Sequence, residues 1–291
     1  MTYLVTPEIA LQDIYKTTAE DVMMHGVTTV KRETPVYQAI ATLVEKNITG
    51  LPVVDNNMFL QGIISEKDVL KLLYKTCRTS GVVEGFMTES VVSFNQEDSL
   101  TDICDCLANN HFRRVPILSQ DKVVSVLSRA DFIRISKNKF RPPGLPEHPR
   151  KHDVIARDIM KRGLVTARRQ TPIYIVMELL SENNITGLPV VDSNMQLEGI
   201  VTEKDILSLL NDSDSKPCNT EDIMTKNVIS FEQDDGLFDI CDCLLNNSFR
   251  RVPILDQGQL VGIVSRADII DSILRYNASL LRRRHTDQPS Y

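Results

Sequence analysis

The chain has 291 residues, of which 42% are hydrophobic and 25% are charged, and its formal net charge at pH 7 is -6. This composition is ordinary for a globular protein of about two domains. No apolar run approaches the ~20 residues that a transmembrane helix needs, and the net negative charge argues against a nucleic-acid binder. The six cysteines are too sparse for a disulfide scaffold and the first residues lack a secretory pattern, so we expect a reducing, cytoplasmic location.

Residues 1–76 predict a short leading segment followed by one small α+β unit. A Thr-Pro pair at 6–7 suits the start of a short leading helix, and a second Thr-Pro pair at 34–35 suits the start of a longer one. The unit that follows the lead-in has the predicted order β-α-β-β-α. Its elements are a strand at 27–30, a helix at 34–47, strands at 51–54 and 60–64, and a helix that begins at Ser65.

The two halves of the chain repeat each other. Three segments of the first half recur in the second half at a constant offset of 137 residues: Asn47–Asp55 as Asn184–Asp192, Asp102–Leu107 as Asp239–Leu244, and Phe112–Leu118 as Phe249–Leu255. Each half is itself double, because Pro52 corresponds to Pro116 and Asp68 to Asp131. The sequence therefore predicts four copies of one unit.

Four units of this size divide the chain as two tandem pairs. One unit is too small to bury its own sheet and helices well, so we expect the two units of a pair to share a core. The fold class is α+β, with small mixed sheets backed by helices. The predicted boundaries are a lead-in at 1–19, repeats at 20–76, 84–137, 157–212 and 221–277, a proline-rich linker at 138–153 and a tail at 278–291.

All four units carry the same signature where the last predicted strand meets the last helix. It consists of Ser65 with Asp68, Ser128 with Asp131, Thr202 with Asp205, and Ser265 with Asp268. One interpretation is a helix cap, since Ser or Thr followed three residues later by an acid is close to a capping box. The other is a sugar site, because a carboxylate at a strand-to-helix junction suits a ribose diol.

A small residue stands three positions before each signature. It is glycine in three units (Gly62, Gly199 and Gly262) and Ser125 in the second. Because a glycine lets a ligand approach the backbone, this pattern favours the sugar interpretation. The second unit departs from the pattern, so the pattern does not support a sugar site at Asp131.

Two pairs of adjacent arginines precede a strand in the second and fourth units. They are Arg113 with Arg114 and Arg250 with Arg251. Their guanidinium groups match phosphate oxygens, but surface salt bridges would explain them equally well. Arg129, Arg266 and His111 are further candidates for phosphate contact.

The sequence indicates neither a metal site nor a catalytic residue. The cysteine pairs at 104/106 and 241/243 lie in predicted helices, where positions i and i+2 point in different directions. Zinc sites usually use C-x₂₋₄-C spacing instead. We expect these cysteines to pack in the core.

The repeated pattern resembles the cystathionine-β-synthase (CBS) domain, with each tandem pair similar to a Bateman module. The resemblance is carried by the Gly-Leu-Pro-Val-Val-Asp strand, the strand ending in Ser/Thr-x-x-Asp, and the Asp-Ile-Met sequences at 158–160 and 222–224. It covers nearly the whole chain except the first 17 residues, the linker and the tail. It implies that four repeats close into a flat disk and that adenosine ligands bind in clefts between paired repeats.

The resemblance also implies a role for each matching residue. The four aspartates of the signature would hold ribose hydroxyls, and its serines and threonine would contact ribose or phosphate near a helix N-terminus. The backbone that would flank the adenine lies around Gly50, Arg114, Gly187 and Arg251.

We therefore predict a non-enzymatic regulatory protein that binds AMP, ADP or ATP, with or without Mg²⁺. Binding would change how the two modules pack, and an effector protein would read the change. The disk would form within a monomer or in a homodimer. Three alternatives stay open: the same fold binding S-adenosylmethionine, a dinucleotide or RNA; a scaffold whose signatures are only helix caps; and a cryptic nucleotide hydrolase.

Overall fold

The computed structural model describes residues 16–76, 81–110, 112–136, 154–209 and 219–275. The predicted leading helix, the proline-rich linker, the tail and His111 lie outside the described residues. None of the helices within these ranges has the length and apolar content needed to span a bilayer.

Each repeat contains a helix, an antiparallel pair of strands and a second helix. The first half contains α1 (Val36–Glu45), β1 (Gly50–Val54), β2 (Leu60–Ser65), α2 (Glu66–Thr76), β3 (Phe94–Asn95), α3 (Leu100–Asn109), β4 (Arg114–Ser119), β5 (Lys122–Ser128) and α4 (Arg129–Ser136). The second half contains α5 (Ala156–Ile159), α6 (Ile173–Glu182), β6 (Gly187–Val191), β7 (Leu197–Thr202), α7 (Glu203–Ser208), β8 (Phe231–Glu232), α8 (Leu237–Asn246), β9 (Arg251–Asp256) and β10 (Gln259–Ser265). The last described helix, α9, covers residues 266–275.

The β-α-β-β-α order and the α+β class are confirmed, with two local corrections. The predicted strand at 27–30 is reduced to a single parallel bridge between Val30 and Val53, and its counterparts β3 and β8 are two residues long. The first helix begins at Val36 rather than at 34–35. The Thr34 hydroxyl instead accepts a hydrogen bond from the N–H of Lys31, at 3.0 Å, in the preceding turn.

The two repeats of a pair exchange the segments that precede them in the sequence. Residues 81–88 lie at the start of the second repeat but pack on the first, where Val83 N–H donates to the Thr34 carbonyl at 2.9 Å. In return, the segment around Thr17 packs on the second repeat, and its carbonyl accepts from Leu100 N–H at 2.9 Å. The second half repeats both contacts. The two repeats of each pair are therefore interlocked by these segments, which place Val83 in the core of repeat 1 and Val22 in that of repeat 2. The predicted single core for each pair is wrong, because the cores of repeats 1 and 2 are otherwise separate.

The two halves pack side by side, repeat 1 against repeat 3 and repeat 2 against repeat 4. The hydrophobic core of repeat 1 includes Leu207 from α7, and that of repeat 3 includes Leu70 from α2. Repeats 2 and 4 contribute to one continuous core. That core contains Cys104 and Cys241, which are buried as predicted, whereas Cys106 and Cys243 are only partly buried. The four repeats thus surround a common centre in the predicted disk.

Candidate anion-binding site at the centre of the disk

All four signature aspartates make the same local hydrogen bonds. In each repeat the Oδ2 atom of the aspartate accepts a bond from the backbone N–H of the Ser or Thr three residues earlier, at 2.7 to 2.9 Å. The same oxygen accepts from the hydroxyl of that residue at 2.5 to 2.7 Å. This is the side-chain-to-backbone half of a capping box. The helix-cap interpretation therefore accounts for one carboxylate oxygen in each repeat.

The second carboxylate oxygen, Oδ1, distinguishes the repeats. In repeat 2, Asp131 Oδ1 accepts from Arg134 Nη1 at 2.8 Å. In repeat 4, Asp268 Oδ1 lies 3.3 Å from Lys161 Nζ. The Oδ1 atoms of Asp68 and Asp205 have no hydrogen-bond partner within the described parts of the chain. Repeats 1 and 3 thus present an open acceptor, and burial raises the pKa of Asp205.

The glycines before the signatures are required by packing within the protein. A Cβ atom on Gly62 would lie 2.9 Å from both Met87 Sδ and the Thr88 carbonyl oxygen, and Gly199 and Gly262 also face a methionine. These methionines belong to the exchanged segments. Ser125 meets the equivalent segment differently, because its hydroxyl donates to the Met24 carbonyl at 2.7 Å. The interpretation of these glycines as a route for ligand approach is therefore wrong.

The second arginine of each pair binds the backbone of the neighbouring repeat. Arg114 Nη1 donates to the Gly50 carbonyl at 3.0 Å, and Arg251 Nη1 donates to the Gly187 carbonyl at 2.7 Å. Burial, reinforced by the positive charge of Arg113, lowers the pKa of Arg114 and of Arg251 to about 10. The structure therefore brings Gly50 together with Arg114 and Gly187 together with Arg251.

The first arginine of each pair reaches across to the other half. Arg250 forms a bidentate pair with Glu66, with Nη1–Oε2 and Nη2–Oε1 distances of 2.6 and 2.9 Å. Arg113 Nη2 lies 3.1 Å from Glu203 Oε2. Both glutamates are only 2% exposed, and burial raises the pKa of Glu203. These are ion pairs, but they are buried at the interface between the halves rather than on the surface.

Sequence reasoning missed Glu66 and Glu203, although a signal was present. The residue after the signature Ser or Thr is Glu in repeats 1 and 3, whereas it is Arg129 and Arg266 in repeats 2 and 4. Those two arginines hold helix ends: Arg129 Nη2 donates to the Leu107 carbonyl and Arg266 Nη2 to the Leu244 carbonyl, at 2.8 and 2.9 Å. Such bonds satisfy carbonyl groups at the C-termini of α3 and α8.

Three cavities are lined in part by the arginines described above. The central cavity, of about 380 Å³, is bordered by all four repeats. The first-half cavity, also about 380 Å³, includes Gly50, Arg114 and Ser128 in its wall. The second-half cavity, of about 290 Å³, includes Thr202, Asp205 and Arg251. Arg250 lines all three.

The central cavity is strongly positive in a protein whose net charge is negative. Among the described residues, its wall contains two acids and nine basic side chains. The acids are Glu203 and Asp268, and the bases are Lys67, Lys71, Arg113, Arg114, Arg129, Lys161, Arg250, Arg251 and Arg266. Within low-dielectric walls such a concentration of like charge attracts anions.

The predicted site residues divide between these cavities. Ser265 and Asp268 line the central cavity, and Ser128 lines both the central and the first-half cavity. Four predicted residues line none of the three: Ser65, Asp68, Asp131 and Gly187. No group of three or more metal-ligating side chains occurs among the residues that the structure describes.

The sequence model of the CBS domain matches residues 19–75, 83–138, 156–212 and 221–275. The chain therefore belongs to the CBS-domain family, with four CBS domains. MJ1225, an uncharacterized protein of Methanocaldococcus jannaschii, is 31% identical over 192 residues, which cover 64% of this chain and 68% of that protein.

Solved structures share this fold. The crystal structure of MJ1225 has a TM-score of 0.79 and 20% sequence identity, and the match covers 88% of this chain and all of that chain. A conserved protein of Pyrococcus horikoshii has a TM-score of 0.60 and 22% identity over the same shares of the two chains. CBSX2 in complex with AMP is 32% identical but covers 42% of this chain and 97% of its own, with a TM-score of 0.40. That last likeness is too partial to bear on the ligand of this chain.

Proposed function

We propose that this chain is a non-catalytic regulatory protein that binds adenosine nucleotides between paired CBS domains. The observation that carries the proposal is the second-half cavity, whose wall combines three chemistries. It has an open carboxylate oxygen on Asp205, two guanidinium groups on Arg250 and Arg251, and apolar side chains that include Ile229 and Phe249. A nucleotide needs these three contacts for its ribose, its phosphate and its base.

The apolar wall suits a purine ring. Ile229 and Phe249 are 44% and 38% exposed, so a base that covers them removes apolar surface from water. The Oδ1 atom of Asp205 can accept from ribose hydroxyls while Oδ2 keeps its bonds to Thr202. Phosphate then lies towards the arginines, because Arg250 and Arg251 line both this cavity and the central one.

The regulatory part of the proposal follows from where the phosphate would lie. Arg250 and Arg113 hold carboxylates of the opposite half, so a phosphate group at these arginines acts on the interface between the halves. A ligand shifts an equilibrium only through different affinities for its two states. Here the two states are two packings of the halves, and an effector protein in the same cytoplasmic compartment reads the difference.

The test is calorimetric titration of the full chain with AMP, ADP, ATP and S-adenosylmethionine, repeated on Asp205→Asn. The asparagine can still accept the N–H and hydroxyl of Thr202 through its carbonyl oxygen, so the helix start survives, but it loses the charged acceptor for ribose. Hydrogen bonds to charged groups contribute ~1.5–3 kcal/mol. We therefore expect a roughly tenfold to hundredfold weaker affinity.

Asp131→Asn is the matched control, because Oδ1 of Asp131 is already paired with Arg134. It should change adenylate affinity much less than Asp205→Asn. Equal losses in both variants would contradict the ribose role of Asp205. No heat with any ligand would favour a scaffold, product formed from ATP would favour a hydrolase, and heat with S-adenosylmethionine alone would change the ligand. Titration of ATP with Mg²⁺ and with EDTA decides whether the metal enters with the nucleotide.

A further inference from the structure

Two ion pairs join the halves of the protein at its centre. The four residues, which we call the central latch, come one from each repeat: Glu66, Arg113, Glu203 and Arg250. Arg250 bonds to both carboxylate oxygens of Glu66, and Arg113 binds Glu203. Because the glutamates are 2% exposed and the arginine side chains 20% exposed, water screens these pairs little.

Three of the four latch residues line cavities that an anion could enter. Arg113, Glu203 and Arg250 line the central cavity, and Arg250 also lines the other two. Within the described ranges, Arg113 Nη1 is buried without a hydrogen-bond partner, and Oε2 of Glu66 lies 3.7 Å from it. The arginines of the latch thus have donor capacity that the two glutamates do not use.

The charges of the latch alternate between repeats. The position after the signature Ser or Thr holds Glu66 and Glu203 in repeats 1 and 3, and it holds Arg129 and Arg266 in repeats 2 and 4. Glu203 lies in the mostly basic wall of the central cavity, and Glu66 pairs with Arg250 of the same wall. The two glutamates thus supply internal anions where cationic side chains crowd together. An anion from outside offers the same arginines the same bidentate geometry.

We infer that Glu66 and Glu203 are internal counter-anions that compete with nucleotide phosphate for Arg250 and Arg113. This inference rests on the proposed function, because the competitor is the phosphate of the bound nucleotide. A phosphate that takes Arg250 from Glu66 breaks a contact between repeats 4 and 1. Binding and packing are therefore linked, and each affects the other by the same factor. A longer phosphate chain reaches more of the latch, so the packing of the halves responds to phosphate number.

The experiment compares the full-length protein with Glu66→Gln by calorimetric titration with AMP, ATP and inorganic pyrophosphate. Glutamine keeps the shape of the side chain and removes its charge. We expect ATP and pyrophosphate to bind about tenfold more tightly, within the usual range of allosteric couplings, and AMP to gain less. Glu203→Gln should change affinity in the same direction, and it keeps the test available if one variant folds poorly.

The matched control is Glu198→Gln. Glu198 is 22% exposed and pairs with Arg169 at 2.9 Å, but it lines none of the three cavities. It should leave ATP affinity unchanged, which separates competition at the latch from a general loss of negative charge.

A second readout follows the packing of the halves. Spin labels at Tyr37 and at Tyr174, both exposed, report the distance between the halves by pulsed electron resonance. ATP should shift this distance in the wild-type chain, and the shift should be smaller in Glu66→Gln, where the contact is already weakened.

If the wild-type chain binds ATP but neither glutamine variant binds it more tightly, the latch is refuted and the proposed function stands. If no nucleotide binds to the wild-type chain or to the variants, both the latch inference and the proposed function are refuted. A gain in Glu198→Gln equal to that in Glu66→Gln would also overturn the inference.

Discussion

The reciprocal exchange of Leu70 and Leu207 provides a quantitative test of how the halves pack. Leu207 from repeat 3 is fully buried in the core of repeat 1, and Leu70 from repeat 1 is 2% exposed in the core of repeat 3. Truncation of a buried leucine to alanine removes its transfer free energy and leaves a cavity, at a total cost of ~2–5 kcal/mol. We therefore expect Leu207→Ala to lower the free energy of unfolding by about 3 kcal/mol.

Urea unfolding followed by circular dichroism measures this loss. Leu188→Ala is the within-half control, because Leu188 is fully buried in the core of its own repeat and should cost a similar amount whatever the halves do. If the halves did not pack as described, Leu207 would face solvent. Its truncation would then change the free energy of unfolding by no more than ~0.5 kcal/mol, as at ordinary surface positions. That result, with a full loss in Leu188→Ala, would refute the packing.

Two further predictions concern single charged groups. Arg134→Gln should free Oδ1 of Asp131 but leave the stoichiometry measured by titration unchanged, because Asp131 lines none of the three cavities, and an added nucleotide site would contradict that placement. Burial, opposed by Arg113 and Arg250 and reinforced by Glu66, raises the pKa of Glu203, so the folded state holds this proton more tightly than the unfolded chain. The stability from this group is fully present below the ordinary carboxyl pKa of about 4.3 and is lost as pH rises through the raised pKa. The stability of Glu203→Gln relative to wild type should therefore increase with pH in that window, whereas parallel pH curves would contradict the assignment.

The repeats and the order of their elements could be predicted because they depend on local signals. A constant offset between halves requires equivalent loops and cores, and hydrophobic periodicity places α1, β1 and β2 in each copy. The errors are also local. The strand at 27–30 is not formed because, in the part of the chain that the structure describes, these residues make one bridge, to Val53, and this gives too few hydrogen bonds for a strand.

The glycines before the signatures depend on tertiary contacts instead. The sequence shows that a side chain is excluded at Gly62 and Gly199, but it does not show which atoms exclude it. Those atoms belong to Met87 and Met224, on segments that the paired repeats exchange. Segment exchange depends on tertiary packing, and the spacing of residues along the chain does not predict it.

The cross-half ion pairs lay beyond sequence reasoning for the same reason. Arg250 and Glu66 are 184 residues apart, and their contact depends on how the halves dock. Phosphate recognition and salt bridging are two interpretations of the arginine pairs that the sequence leaves open. In the structure Arg250 forms a salt bridge with Glu66 and also lines all three cavities. Salt bridging is therefore observed, and phosphate recognition stays a proposal.

The central proposal is that one adenylate lies between the carboxylate of Asp205 and the adjacent arginines, Arg250 and Arg251. A crystal structure of the full chain grown with AMP tests it most directly. The account predicts ribose hydroxyls at Oδ1 of Asp205 and phosphate oxygens at Arg250 or Arg251. Adenylate bound elsewhere, with the second-half cavity holding only solvent at saturating AMP, would contradict it.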